Sequence, residues 1–287
     1  MYTFETPEPV SVTVELGVGD VRVVASERAD TVVEIRPSDS ARRSHVHAAE
    51  QTRVEYSDGR LLVKAPKTWR HTIWGGGESI DVEIGVPSGS QLQGDAAVAS
   101  VHCVGRLGTC HFKTSAGNID VEQAGAVRLR SSVGDIAVQH VVGDAELATS
   151  SGALRIDRVD GNAVVKNSNG DTWIGEITGD LRVNSANGSI GVDHARATVV
   201  AKTANGDVRL HEVARGSVLA ETSRGRVEIG VLDGVAAWLD LKTQFGKVRN
   251  NLDASTEPEP GEDTVEVRAR TSFGDITVDR SGRTIRT

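Results

Sequence analysis

The sequence predicts an all-β protein, a β-solenoid with about 18 residues per coil. A short phrase recurs along the chain: Ser, Thr or Asn, two residues, Gly, then alternating apolar residues. It reads NSNGDTWI at 167–174 and TANGDVRL at 203–210. Its anchor glycines follow one another at spacings of 17, 18, 18, 18, 18, 19, 21 and 28 residues, and they are Gly117, Gly134, Gly152, Gly170, Gly188, Gly206, Gly225, Gly246 and Gly274. Composition agrees, since 3% aromatic residues and 31 glycines suit thin stacked coils better than helices.

The N-terminal residues 1–95 predict an irregular β cap that is continuous with the solenoid. Alternating apolar residues predict strands at 11–16, 20–25, 31–37 and 79–87. An Asp58-Gly59 turn between two alternating segments predicts a hairpin. The polar stretch 38–50 contains the start of HAAEQ, which favours a short helical turn. Terminal repeats are expected to be atypical because they cover the open end of the core.

The repeated pattern in residues 96–252 predicts the regular coils of the solenoid, and each coil contains two short strands. In the first strand of each coil, apolar residues stand two and four positions after the anchor glycine, so each pair shares one face. Stacking at strand spacing brings equivalent pairs into register in one dry interior. Leu239, Leu241 and Val248 are expected to face inward. A polar residue stands three positions before each anchor, and these predict a buried ladder: Thr114, Ser131, Thr149, Asn167, Ser185, Thr203, Thr222 and Thr243.

The last part of the chain departs from the period. Residues 253–263 are acidic and contain two prolines, so a loop is expected there; residues 254–262 of this stretch lie outside the part of the chain that the structure describes. Residues 264–287 then return as strands and a tail, which we expect to close the far end of the stack.

Two sets of residues are candidates for a partner surface. The outward column of the second strands reads Arg128, Glu146, Val164, Arg182, Val200 and Leu219. Stacked aliphatic residues on an outward face predict that Val164, Val200 and Leu219 are shielded by another chain or a neighbouring segment. The second set is Trp69, Arg70 and Trp74, which precede three glycines in a loop. They either form a recognition surface or fold back over the cap.

Motifs that resemble metal sites have simpler interpretations. Cys103 and Cys110 fall on inward positions of the repeat, and the adjacent His102 and His111 point outward, which favours core cysteines over zinc. Asparagine-glycine-aspartate turns resemble calcium-binding repeats, but their aspartates recur irregularly, which favours turn capping. The outward carboxylates are not paired as glycoside cleavage requires. We therefore predict no catalytic residue, no metal and no cofactor.

Charge and hydropathy narrow the partner classes further. The net charge is −8 and the basic residues are scattered, so nucleic acid is not expected to bind. No apolar run approaches the roughly 20 residues that span a bilayer, and the N-terminus has no positively charged, apolar leader pattern, so a cytoplasmic location without membrane insertion is expected. Two cysteines cannot build a disulfide framework, which fits a reducing compartment.

The repeat resembles the bacterial β-strand-repeat family named putative adhesins, which is related to the toastrack domains. The residues that carry it are Gly17–Val23, the IGVP at 84–87, the repeated units and the closing SFGDITV at 272–278. The likeness is to the leaderless actinobacterial type. It implies a right-handed solenoid and a link to cell-envelope or stress functions, and it carries over no catalytic residue.

The function predicted from these observations is a non-enzymatic structural or protein-binding solenoid. Two alternatives stay open. One is a carbohydrate-binding or carbohydrate-active β-helix that uses Trp69, Trp74 or Trp173 as sugar platforms. The other is a self-assembling scaffold, because exposed end coils can template further strands.

Overall fold

A computed structural model of the chain describes residues 1–66, 78–253 and 263–282. These residues form two compact units, Met1–Gly143 and Asp144–Thr287. The only helix among the described residues has 9 residues, and none there is long and apolar enough to cross a bilayer. Strand after strand stacks in parallel within each unit, so the all-β solenoid is confirmed.

Unit 1 holds the irregular cap and the first coils. Its elements are β1 Tyr2–Glu5, β2 Ser11–Ser26, β3 Asp30–Pro37, α1 Arg43–Gln51, β4 Arg53–Ser57, β5 Arg60–Lys64, β6 Ile80–Pro87, β7 Gln91–Ala116, β8 Ile119–Val133 and β9 Ile136–Val141. β2 is the framework of the cap, because it pairs in parallel with β5, β6 and β7. Val21 is aligned with Val82 on β6 and Val101 on β7, and all three are buried.

Antiparallel strands and α1 cover the first coil. β3 runs antiparallel to β6, and β1 runs antiparallel to β3. The predicted hairpin is confirmed as β4 and β5, whose Asp58-Gly59 turn has φ values of 51° and 73°. The predicted helical turn is confirmed as α1, which contacts β3 and β6 and buries His45 and Ala48. The outer edges of this cap are therefore antiparallel strands rather than open parallel coils.

Unit 2 holds the regular coils. Its strands are β10 Ala145–Ser151, β11 Leu154–Val159, β12 Ala163–Asn169, β13 Thr172–Ile177, β14 Leu181–Asn187, β15 Ile190–Ala195, β16 Val199–Asn205, β17 Val208–Val213, β18 Gly216–Arg224, β19 Val227–Val231, β20 Ala236–Phe245, β21 Val248–Asn250, β22 Thr264–Phe273 and β23 Ile276–Arg280. Even-numbered strands from β10 to β18 stack in parallel, and so do the odd-numbered strands from β11 to β19. The shift between stacked residues is one repeat, as for Leu181 and Val199. Both are buried, so the shared dry interior is confirmed.

The predicted polar ladder lies inside each turn. The Thr203 hydroxyl donates to the carbonyl oxygen of Gly188 at 3.0 Å, and the Thr222 hydroxyl donates to that of Gly206 at 2.9 Å. Asn167 donates to Gly152 in the same way at 3.0 Å. Each of these three side chains thus binds the anchor glycine of the preceding coil, which satisfies a turn carbonyl that the strands leave unpaired. The hydroxyl of Ser185 has no such partner among the described residues.

The end of unit 2 corrects the expectation for residues 264–287. β22 lies between β18 and β20, because Val267 is aligned with Val218 on one side and Leu239 on the other. β23 likewise lies between β19 and β21. The last coil in space is therefore β20–β21. The inward residues of β22, which are Val265, Val267 and Ala269, are buried between these two neighbours, whereas Leu239 and Leu241 of β20 are half-buried.

The prediction that Val248 faces inward is wrong, because β20–β21 is the last coil of the stack. Its side chain is 44% exposed, and Leu239 and Leu241 are only half-buried. These residues follow the repeat correctly, but no described coil stacks on their outer side. An apolar edge of the interior is therefore open to water at this end of unit 2.

Candidate functional site

Four of the five bulky apolar side chains exposed among the described residues of unit 2 lie on its last two coils in space. Trp238 is 68% exposed, Phe245 59%, Phe273 52% and Val248 44%. The rings of Phe245 and Phe273 are stacked, with centroids 4.9 Å apart and an interplanar angle of 9°. Exposed aromatic residues in one cluster are typical of interaction surfaces. We call the outer side of β20 and β21, with Trp238, Leu239, Leu241, Phe245 and Val248, the terminal edge.

The two phenylalanines continue a column of turn residues. In three coils the position before the anchor glycine is an asparagine: Asn169, Asn187 and Asn205. The side-chain amide of Asn187 donates to the side-chain oxygen of Asn169 at 2.9 Å, and that of Asn205 donates to Asn187 at the same distance. Phe273 and Phe245 stand at the same position of the last coils. Ring stacking therefore replaces amide hydrogen bonds where the column ends, and it leaves an apolar face toward solvent.

The backbone of β20 is open along this edge. The carbonyl oxygen of Phe245 accepts a bond from the N–H of Gly274 at 3.0 Å, so Phe245 directs its backbone groups toward the β22–β23 coil. Backbone direction alternates along a strand, so Trp238, Asp240, Lys242 and Gln244 direct their N–H and C=O groups away from β22. No strand among residues 1–66, 78–253 and 263–282 pairs with that side. An unpaired strand edge is a template for a further strand.

A polar groove of about 520 Å³ lies beside the terminal edge. Its lining includes Lys202, Glu221, Lys242, Gln244, Arg270 and Ser272. Within it Lys202 Nζ lies 2.7 Å from a Glu221 oxygen, and Lys242 Nζ lies 3.3 Å from an oxygen of Asp240. The hydrogen bond from Lys242 lowers the pKa of the Asp240 carboxyl, and Arg270 acts in the same direction. Charges that are already neutralised in pairs suit the polar rim of an interface.

The predicted column of Val164, Val200 and Leu219 lies outward on the even-numbered strands. Arg182 lies between Val164 and Val200, and Leu219 is directly next to Val200. Val164 is 37% exposed, and the other two are half-buried. Their shielding by a partner stays a prediction.

The tryptophans contribute unequally to the candidate site. Trp69, Arg70 and Trp74 lie outside the described residues. The guanidinium of Arg155 lies 4.1 Å from the centroid of the Trp173 ring, and the indole N–H donates to Asp193 at 3.3 Å. A sugar ring needs a free aromatic face, and one face of Trp173 is already covered by this cation. The geometry therefore does not favour Trp173 as a sugar platform.

The turn aspartates accept hydrogen bonds from backbone N–H groups of neighbouring coils. A carboxylate oxygen of Asp171 accepts the N–H of Ser189 at 2.7 Å, and Asp207 accepts that of Arg226 at 2.8 Å. Asp275 accepts the N–H of Lys247 at 2.9 Å. Among the described residues no group of three or more His, Cys, Asp or Glu is placed to hold a metal ion. Turn capping is thus confirmed for these three residues.

The two cysteines are core residues, as predicted. Cys103 and Cys110 are both buried, and His102 and His111 are exposed on the other face. A hydrogen bond with the Cys110 thiol and burial raise the pKa of Cys103 well above its usual value. The thiol is therefore neutral and poorly nucleophilic.

The terminal edge is not among the surfaces predicted from the sequence. Phe245 and Phe273 had a usable signal, because the position before the anchor glycine, which is Asn in three coils, is Phe in QFG and SFG. The insertion of β22 between β18 and β20 has no comparable signal, since all coils share one apolar pattern.

Parallel coils, inward aliphatic pairs and a buried polar ladder define the class of β-solenoid repeat proteins. Within that class the chain belongs to the Toastrack DUF4097 family, whose model matches residues 11–279. A fold of this kind suits a structural or binding role.

Solved structures of similar proteins come from several bacteria. A "putative adhesin" from Bacteroides fragilis is 16% identical, with 96% of this chain and 95% of that chain covered and a TM-score of 0.41. Another from Parabacteroides merdae is 13% identical, with coverages of 97% and 94% and a TM-score of 0.40. A "putative cell adhesion protein" from Clostridium sporogenes is 12% identical, with coverages of 97% and 98% and a TM-score of 0.27. No curated protein matches the chain.

Proposed function

We propose that this protein is a non-enzymatic β-solenoid that binds a protein partner through the terminal edge. The observation that carries the proposal is the coincidence of an unpaired strand edge on β20 with exposed aromatic residues on the same coils. An unpaired strand offers main-chain hydrogen bonds to an added strand, and the side chains beside it give specificity. Trp238 is the expected anchor, because buried tryptophans dominate many interface energies.

The surroundings of the edge support a protein partner over a glycan. Lys202, Glu221, Lys242 and Asp240 are paired with one another, and such a polar rim surrounds the apolar core of many protein interfaces. One face of Trp173, the tryptophan that would serve a sugar on the regular coils, is covered by Arg155. A non-enzymatic role is supported by the turn carboxylates Asp171 and Asp207, which cap backbone N–H groups.

Site-specific photo-crosslinking in the native host tests the proposal. A photo-reactive amino acid replaces Trp238 in one variant and His211 in a control variant. The His211 side chain is 65% exposed and lies on β17, outside the terminal edge. We expect a discrete protein adduct at position 238 that is absent at position 211. Trp238→Ala is then expected to weaken binding of the purified adduct partner about tenfold or more.

Equal labelling at both positions, or no protein adduct at position 238, would refute the proposal. A third variant with the photo-reactive group at Val164 examines the predicted outward column. An adduct at Val164 alone would move the partner surface from the terminal edge to that column. The cytoplasmic location and the link to cell-envelope or stress functions remain part of the proposal, and fractionation of the native host tests the location.

A further inference from the structure

We propose that the partner of the terminal edge is a second copy of this chain, paired strand to strand. β20 would run antiparallel to β20 of the second copy about a two-fold axis at Leu241. This inference rests on the proposed function, because it names the partner of the surface proposed there.

The charges on β20 select this register. With the axis at Leu241, Asp240 faces Lys242 of the second copy, and Lys242 faces Asp240 of that copy. An axis at Asp240 would bring two aspartates together, and an axis at Lys242 would bring two lysines together. Opposite charges across a strand pair stabilise it and like charges destabilise it. The strand is thus self-complementary in one of these three registers.

The backbone directions agree with the same register. Trp238, Asp240, Lys242 and Gln244 direct their N–H and C=O groups toward the free side of β20. The axis at Leu241 pairs each of these even-numbered residues with another even-numbered residue. Every such pair can exchange two hydrogen bonds, so the two strands can form about eight. A shift by one residue would instead put outward side chains opposite inward ones.

The interior of the solenoid also becomes continuous across the pair. Leu239 and Leu241 face inward but are half-buried, because no coil lies on their outer side. In the proposed pair Leu241 stacks on Leu241 of the second copy at strand spacing. Leu239 stacks beside Thr243 of that copy. The open apolar edge is thereby removed from water, which favours association.

The product is a closed dimer rather than a filament. Two-fold pairing uses the same strand on both copies, so it occupies the free side of β20 in each. Head-to-tail growth would need an open parallel coil elsewhere. In unit 1 the cap coil carries the antiparallel strands β3 and β4 on its outer side. Dimers are therefore expected to be the end point of assembly through this edge.

Charge exchange between two variants tests the register. Asp240→Lys places two lysines on each strand, and Lys242→Asp places two aspartates on each strand. We expect each variant alone to lose dimer affinity by about tenfold or more. An equimolar mixture is expected to form a heterodimer, because each lysine strand then faces an aspartate strand. The double variant Asp240→Lys/Lys242→Asp restores complementary pairs within one chain and is expected to dimerise like the wild type.

Sedimentation velocity across the micromolar range measures the association, and thermal unfolding checks that each variant is folded. A wild-type protein that stays monomeric throughout would overturn the inference, as would cover of the edge by residues 254–262 or 283–287 of the same chain. A dimer that is indifferent to both single exchanges would overturn the register at β20. If the wild type is monomeric while position 238 crosslinks a different protein, the inference fails and the proposed function stands. If neither occurs, both fail.

Discussion

Replacing Gly188 with alanine perturbs the turn on which every coil depends. Gly188 has a φ of 138°, and a Cβ added there would lie 2.1 Å from the carbonyl oxygen of Gly170 in the preceding coil. Contacts below 3.0 Å do not persist, so the two turns must separate by nearly an ångström. The opposing group is backbone, and it cannot rotate away as a side chain would.

The expected loss follows from strain and from two neighbouring hydrogen bonds. Backbone strain in a glycine-only conformation costs about 1–3 kcal/mol. The Gly188 N–H donates to Asn205 at 2.8 Å, and the Gly188 carbonyl accepts from Thr203 at 3.0 Å. Weakening one of these bonds adds about 1 kcal/mol. Gly188→Ala should therefore lower the free energy of unfolding by about 2–4 kcal/mol.

Urea unfolding followed by circular dichroism measures this difference. Gly17→Ala is the matched control, because a Cβ at Gly17 meets no atom within 4 Å. We expect it to change the free energy of unfolding by less than about 0.5 kcal/mol. A loss below about 1 kcal/mol for Gly188→Ala would show that the turn accommodates a Cβ. The recurrent glycine would then need an explanation other than close approach of stacked turns.

Three further outcomes test the interior and the turns. Thr203→Val should lower the free energy of unfolding in urea by about 1–2 kcal/mol, because the Gly188 carbonyl loses its buried donor. The control Thr277→Val, at an outward position, should lower it by less than about 0.5 kcal/mol. Equal losses for the two variants would contradict the buried polar ladder. Cys103 and Cys110 should resist alkylation at mildly alkaline pH until the chain is unfolded, because both are buried and the raised pKa of Cys103 keeps its thiol protonated. Mass spectrometry measures the labelling, and rapid labelling of the folded protein would disprove this expectation. Asp207→Ala should lower the midpoint temperature of thermal unfolding, because the Arg226 N–H loses its acceptor. Adding calcium or a chelator should leave the midpoint of the wild type unchanged. A higher midpoint with calcium would argue for a metal site.

The candidate site shows where sequence reasoning stops. The inward or outward direction of Val164, Val200 and Leu219 was predicted correctly, because alternation along a strand is a local property. The exposed pair Phe245 and Phe273 was missed, although its position before the anchor glycine was readable. The residue in that position is polar from Ser151 to Arg224 and aromatic at Phe245 and Phe273, and only the stacked neighbours reveal that the two rings meet.

The sequence by itself determined the coil, its inward aliphatic pairs, the buried ladder at Thr203 and Thr222, and the capping role of Asp207. Each of these depends on a period of about 18 residues, which places equivalent atoms one strand spacing apart. Only the tertiary structure decided that β22 and β23 lie inside the stack and that β20 carries its free edge. The period predicts that each coil stacks on another coil. It does not predict which coil becomes the neighbour, because all coils carry the same alternation of apolar residues. Burial of Val265, Val267 and Ala269 on both sides selects the order, and that choice leaves Trp238 exposed on the terminal edge.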